Sequence, residues 1–182
     1  WEMVELGSVC EVIMGQSPKG DTYNDKGIGL PLINGPVEFG KGQLDKTHIT
    51  KYTSKPTKIG NVGDFVLCVR GSTTGRTNIV SVKSCIGRGV CVIRSDNYQQ
   101  WVNHYLSHLK EYFYDLGEGS TFPSISKHHI ESVNIPLPEV DEQNEIIAQL
   151  ELEQDIVKAN KKLINIYKQK IQKRIAQVWG EK

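Results

Sequence analysis

No run of eighteen apolar residues occurs anywhere in these 182 residues, so no membrane-spanning helix is expected. The opening stretch, Trp1-Glu2-Met3-Val4, lacks both a basic region and an apolar core and does not read as a signal peptide. It begins on Trp rather than an initiator Met, as a trimmed fragment would. Cysteine is scarce and unpaired in pattern. Cys10, Cys68, Cys85 and Cys91 stand singly among β-type residues with no C-x-x-C, and no His–Cys spacing suits zinc. They read as reduced, mostly buried thiols of a cytoplasmic protein.

Catalytic motifs are equally absent. Three residues separate Gly71 from Gly75 and Arg76 follows, whereas a P-loop needs four between its glycines and then Lys, which argues against a P-loop NTPase. Gly27-x-Gly29 is too short for a dinucleotide fingerprint. No Asn/Asp-Pro-Pro-aromatic tetrad is present to hold a flipped adenine, and Pro136-Leu137-Pro138 does not replace it. His104 and His108 are four apart on a helix but lack the Glu of a zinc-protease motif, and His128-His129 reads as the flank of a short helix. No Ser stands in a nucleophile elbow. No catalytic residue, metal ligand or cofactor is therefore expected.

What is present is an uneven charge distribution. The formal net charge is +1, too small for a generic nucleic-acid binder. Residues 50–94, however, hold Lys51, Lys55, Lys58, Arg70, Arg76, Lys83, Arg88 and Arg94 against Asp64 alone. These cations are interleaved with Gly, Ser and Thr, which suit phosphate contacts. The Arg70-Gly71-Ser72-Thr73-Thr74-Gly75-Arg76 loop is open to two readings. One is a Gly-rich turn between strands; the other adds two Arg and exposed hydroxyls that hold a DNA backbone or base edge.

The second feature is a stretch without breakers. Between Pro138 and Gly180 there is neither Pro nor Gly, which predicts a helix over 141–178, a rod of roughly 57 Å. Leu150, Val157, Ile164, Ile171 and Val178 recur every seventh place, and Tyr167 widens the stripe in a coiled-coil-like pattern. Asn160 falls on the seam near its middle, where a polar residue fixes register. Every charge from Asp141 to Asp155 is negative and every charge from Lys158 to Arg174 positive. Part of this suits the helix dipole, which reaches only the terminal turns. A second copy laid antiparallel sets acid against base along the whole length.

Ahead of the rod, strands are expected over Val9–Met14, Leu32-Ile33, Val37–Phe39, Asp64–Arg70, Thr77–Val82, Gly89–Arg94 and Val133–Ile135. A helix capped by Asp96 or Asn97 is expected to run to about Leu116, with Trp101, Tyr105, Leu109, Tyr112 and Leu116 on its apolar face. Ser126 caps a short helix to about Ser132. Residues 40–60 carry no clear periodicity. The expectation is an α+β chain: a globular domain over 1–138 with a mixed, mainly β core and flanking helices, then one long C-terminal coiled-coil helix over 139–179.

Taken in order, Trp1-Glu2-x-Val4-x-Leu6-Gly7, Gly63-Asp64, Val69-Arg70-Gly71-Ser72-Thr73-x-Gly75, Gly119-Ser120-Thr121, Ile125-Ser126, Ile135-Pro136-Leu137-Pro138 and Glu142-Gln143-x-x-Ile146 resemble the specificity subunit of type I restriction–modification systems. The resemblance implies a target recognition domain that reads half of a split double-stranded DNA site. It also implies a conserved helix serving as spacer and as dock for methyltransferase subunits, and through the complex a restriction/translocase subunit. Catalysis and cofactor use would belong to those partners. The family carries two such units in tandem; here there is one, so the chain is either a half-subunit that pairs with itself or half of a longer chain. The residues expected at DNA are Gln16, Lys19, Arg70, Ser72, Thr73, Thr74, Arg76, Arg88, Thr121 and Lys127. Those expected in the partner helix are Leu150, Val157, Asn160, Ile164, Tyr167, Ile171 and Val178. Two rivals remain at this point: the recognition end of a single-chain methyltransferase-nuclease, and a coiled-coil scaffold without nucleic acid.

Overall fold

The computed structural model describes residues 1–117 and 123–180. Two compact units divide between Pro138 and Glu139.

The first unit is built on its most apolar strands. Phe65, Val66, Leu67 and Cys68 form β7 (Phe65–Cys68), and Val90–Arg94 form β10; nearly every side chain in them is buried. Continuous apolar runs of this kind mark a strand covered on both faces. Period-two alternation then splits the side chains between two cores. Phe65, Leu67, Cys91 and Ile93 join Leu6, Val102, Leu106, Phe113, Ile130 and Ile135 on one side. Val66, Cys68, Val90 and Val92 join Ile33, Phe39, Val80 and Ile86 on the other.

The central layer is thus a four-stranded antiparallel sheet, ordered β2 (Glu11–Met14), β10, β7, β8 (Thr77–Ile79). One face meets helices α2 (Gln99–Ser107), α3 (Lys110–Asp115) and α4 (Lys127–Glu131) and the short α1 (Leu6–Val9). Beside them lies a ribbon of β1 (Glu2–Glu5) and β11 (Asn134–Leu137), paired antiparallel from Glu2↔Leu137 to Glu5↔Asn134. The other face meets a five-stranded sheet ordered β3 (Tyr23–Asn24), β5 (Tyr52–Thr53), β4 (Leu30–Ile33), β9 (Ser84–Ile86), β6 (Lys58–Gly60), in which β4 and β9 run parallel.

Four expectations need correction. Residues Pro36–Glu38 form a 3-10 turn and not a strand; Pro36 fixes φ, and the Glu38 carboxylate accepts from the Asn34 and Gly35 N–H groups at 3.2 Å each, closing the turn. The single helix to Leu116 is two helices, parted at His108-Leu109. There His108 and Leu109 N–H groups bond the carbonyls three residues back and not four. Tyr112 consequently stays exposed while Phe113 is buried. Neither Asp96 nor Asn97 caps α2: Ser95 Oγ accepts from Tyr98 N at 3.2 Å, and Gln99 Oε1 accepts from Ser95 N at 2.8 Å. The Thr77–Val82 strand stops at Ile79, with Val80 N turned to the Asp64 carbonyl. The Ser126 cap is present, accepting from His129 N.

The second unit is α5, one helix of 40 residues from Val140 to Trp179, closed by Gly180 in the left-handed region at φ 69°. At ~1.5 Å per residue it is roughly 60 Å long. Beyond Glu151 every described side chain is exposed except the half-buried Gln154 and Ala176. Val157, Ile164, Tyr167, Ile171 and Val178 are each 49–68% exposed. No helix among the described residues is long and apolar enough to cross a membrane.

Candidate nucleic-acid interface

Strand directions bring four loops to one end of the domain, those after β2, β4 and β7 and the β9–β10 turn. β2 and β7 both run antiparallel to β10, so their C-terminal ends lie beside its start, as the pairs Met14↔Cys91 and Cys68↔Val90 record. β4 and β9 run parallel and end together at Ile33↔Ile86. Backbone hydrogen bonds then join what leaves these strands. Gly15 N donates to Val90 O at 3.0 Å, Gln16 N to Ile86 O at 2.9 Å, and Gly87 N to Ile33 O at 2.8 Å. Val69 N donates to Gly89 O, Gly71 N to Pro123 O and Ile125 N to Val69 O, each at 3.0 Å. Thr57 Oγ1 donates to the Gln16 carbonyl, which adds the β6 approach to the set.

Glycine makes the crossing close enough. A Cβ on Gly15 would overlap the Gly87 carbonyl, and one on Gly87 would overlap the Asn34 side chain. The strand ends are therefore fixed against one another, and the side chains between them project from a rigid frame.

Six of the ten expected contact residues are exposed: Gln16, Lys19, Arg70, Ser72 and Arg88 on this loop set and Lys127 at the start of α4. Lys127 is held by Glu131 at 3.4 Å. Thr73 is half-buried. Two others serve the fold. Thr74 is 2% exposed, and its hydroxyl donates to Gly71 O at 2.7 Å and Pro123 O at 3.2 Å, locking the turn. Arg76 donates from Nη2 to Gly40 O at 3.0 Å and lies 6.0 Å over the Phe39 ring. The expectation of exposed hydroxyls and two free Arg across this loop is thus corrected to Arg70 and Ser72. Thr121 lies outside the described residues.

Arg94 also leaves the basic count. It grips Asp64 through Nε and Nη2 at 3.0 and 2.6 Å, with Glu11 at 3.7 Å. Those hydrogen bonds to Asp64 hold the guanidinium above its ordinary pKa despite its burial. Sequence reasoning missed Ser17, Asn34 and Thr57 as members of the frame; the Asn34-Gly35 turn was the one local signal. At the far end of β2 and β10 an open cleft of about 480 Å³ lies between Gly7–Glu11 and Arg94–Tyr98. Arg94 and Ser95 there spend their polar groups on the fold. Among the described residues no His, Cys, Asp or Glu cluster is arranged as a metal site.

Chemically the loop end offers Arg and Lys heads, amides and hydroxyls on a fixed surface, a set suited to anions and polar edges. The model of the type I restriction modification DNA specificity domain matches residues 1–173, domain and helix together. The chain belongs to that family. The MjaX specificity subunit assigned to a type I restriction enzyme of Methanocaldococcus jannaschii is 38% identical over 184 residues, which cover 91% of this chain and 42% of that protein. The HsdS subunit of Thermoanaerobacter tengcongensis is 35% identical with a TM-score of 0.79, covering 90% of this chain and 39% of that one. A chain from a structure on complex assembly and conformational transition of the type I R-M system is 37% identical with a TM-score of 0.80, covering 90% and 40%. This specificity-domain chain therefore spans about two fifths of the length of the relatives it matches.

Proposed function

We propose that this specificity-domain chain is the DNA-recognition element of a type I restriction–modification complex. Its domain reads one half of a split double-stranded target, and α5 sets the spacing to the other half and docks the methyltransferase subunits. The restriction subunit joins through that complex. Methylation and cleavage are the work of those partners, for which this sequence supplies no catalytic set.

The observation that carries the reading is the continuous family match through both units, residues 1–173. One family model runs unbroken from the domain into the helix. The rod's own surface agrees. Its Leu150–Val178 stripe, with Asn160 inside it, suits an antiparallel helix, from a second copy or from a second unit of a longer chain. A further seam, Leu152, Ile156, Ala159, Leu163 and Ile166, follows spacings of four, three, four and three beside the first. Its four large side chains are 45–64% exposed. Two adjacent seams suit two partner helices, which a spacer that also docks a subunit requires.

The test is the sequence methylated in cells that carry this chain with type I methyltransferase subunits. Rods of about 57–60 Å hold two domains further apart than one ~34–36 Å turn of DNA. A motif of two short blocks separated by unread base pairs is expected, an inverted repeat where the chain pairs with itself. A single contiguous motif would contradict the spacer role.

A further inference from the structure

We propose that Arg88 is a base-reading residue of this domain and that the base it reads is a guanine in the major groove. The inference rests on the DNA-recognition reading and deepens it.

The cations at the loop end are not equivalent. Arg76 is bound to Gly40 O and lies over Phe39, and Lys127 faces Glu131. Arg88 is exposed, and among the described residues its guanidinium enters no ion pair or hydrogen bond. Its backbone is the reverse of free. Arg88 N donates to Ser17 Oγ at 3.1 Å, and that hydroxyl lies 3.3 Å from Asn34 Oδ1. Gly87 N is bound to Ile33 O and Gly89 O accepts from Val69 N. Both flanking glycines press on Asn34 too closely for a Cβ. The turn is clamped between the ends of β2, β4 and β7, and Arg88 is the one side chain that leaves it.

That combination selects among the uses of a cation at DNA. Phosphate contacts need charge and tolerate a mobile stem, as Lys provides. A bidentate contact to guanine O6 and N7 needs the planar fork of Arg presented from a fixed base. Arg70 is also exposed, and its backbone bridges to Ser124; it has no glycine before it and lies outside the Gly87–Gly89 clamp. Arg88 combines a guanidinium outside any ion pair or hydrogen bond among the described residues with a turn held on both sides by glycines that admit no Cβ. Asn34 and Ser17 are its positioning residues.

The test compares wild type, Arg88→Ala and Arg88→Lys, each assembled with methyltransferase subunits. Affinity is measured on the cognate duplex, on every single-base-pair variant of it, and on unrelated DNA, over a range of salt. Both substitutions should cost about 5- to 150-fold on the cognate duplex, abolish the preference at one G·C position and leave unrelated DNA within about threefold. Losing charge at a phosphate instead would lower the salt slope by about 0.9 and weaken all sequences alike. That outcome, or an Arg88→Lys variant with wild-type discrimination, overturns the base-reading role while leaving DNA recognition in place. A wild-type complex with no sequence preference overturns the recognition reading itself.

Discussion

Asp64 is 3% exposed, and its carboxylate closes the Asn61–Asp64 turn through Asn61 N at 2.7 Å while holding Arg94. The Gly63-Asp64 turn was legible in the sequence, because Gly63 sits at φ 91° where other residues strain. The pairing with Arg94 was not, since it follows from the β7–β10 register and from nothing local. The same limit explains Thr74 and Arg76: their residue types suit a ligand, and only the fold turns them inward. The cysteines were read correctly as buried thiols, and all four are free. Burial pushes Cys10 up to about 11 and Cys68 up to about 12 from 9.0, and raises Cys91 as well. A raised thiol pKa favours the protonated, folded form. Its stabilisation is complete below the unfolded value near 9 and is lost as pH rises through the folded values. Denaturant midpoints should therefore hold steady to about pH 8.5 and fall between about 9 and 12. The Cys68→Ala variant, weaker overall from its cavity, should show a shallower alkaline fall. An identical fall in the variant would assign it to other groups.

At the scale of elements, long signals were legible and short ones were not. Forty breaker-free residues become α5, ending at Gly180 as the sequence implies. The break between α2 and α3 has no Pro or Gly to announce it. It places the Lys110 carbonyl against Gly75, where no Cβ fits, and so reflects packing two elements away. Strands β5 and β6, with two and three residues, are too short to show alternation and exist because neighbours pair with them. The proposed antiparallel pairing of α5 has its own test. With Asn160 at the crossing, Glu151 and Glu153 face the Lys168–Lys170 region of a partner. Reversing Glu151 and Glu153 to Lys should weaken association about tenfold or more at low salt, at ~0.2–1 kcal/mol per exposed pair counted in both halves. Adding Lys168→Glu and Lys170→Glu should restore it, measured by sedimentation equilibrium. A parallel pair would be indifferent to the first change.

For the molecule as a whole, the sequence showed a mixed domain followed by a rod, and the family match over residues 1–173 unites them. What it did not show is that a sheet buried on both faces organises the domain. Nor did it show that β2, β4, β7 and β9 end together, which is what gathers Gln16, Arg70, Ser72 and Arg88 from 73 residues of chain onto one surface. The central claim is that this loop end reads DNA sequence. Its most direct test is the ratio of affinities for the methylated motif and for unrelated duplex at ~150 mM salt, in the assembled complex. A ratio of roughly 10³ or more is expected for the wild-type chain. The Gln16→Ala, Arg70→Ala, Ser72→Ala, Arg88→Ala combination, all exposed positions, should bring it towards one with the fold and assembly intact. A ratio unchanged by losing those four side chains would contradict the account.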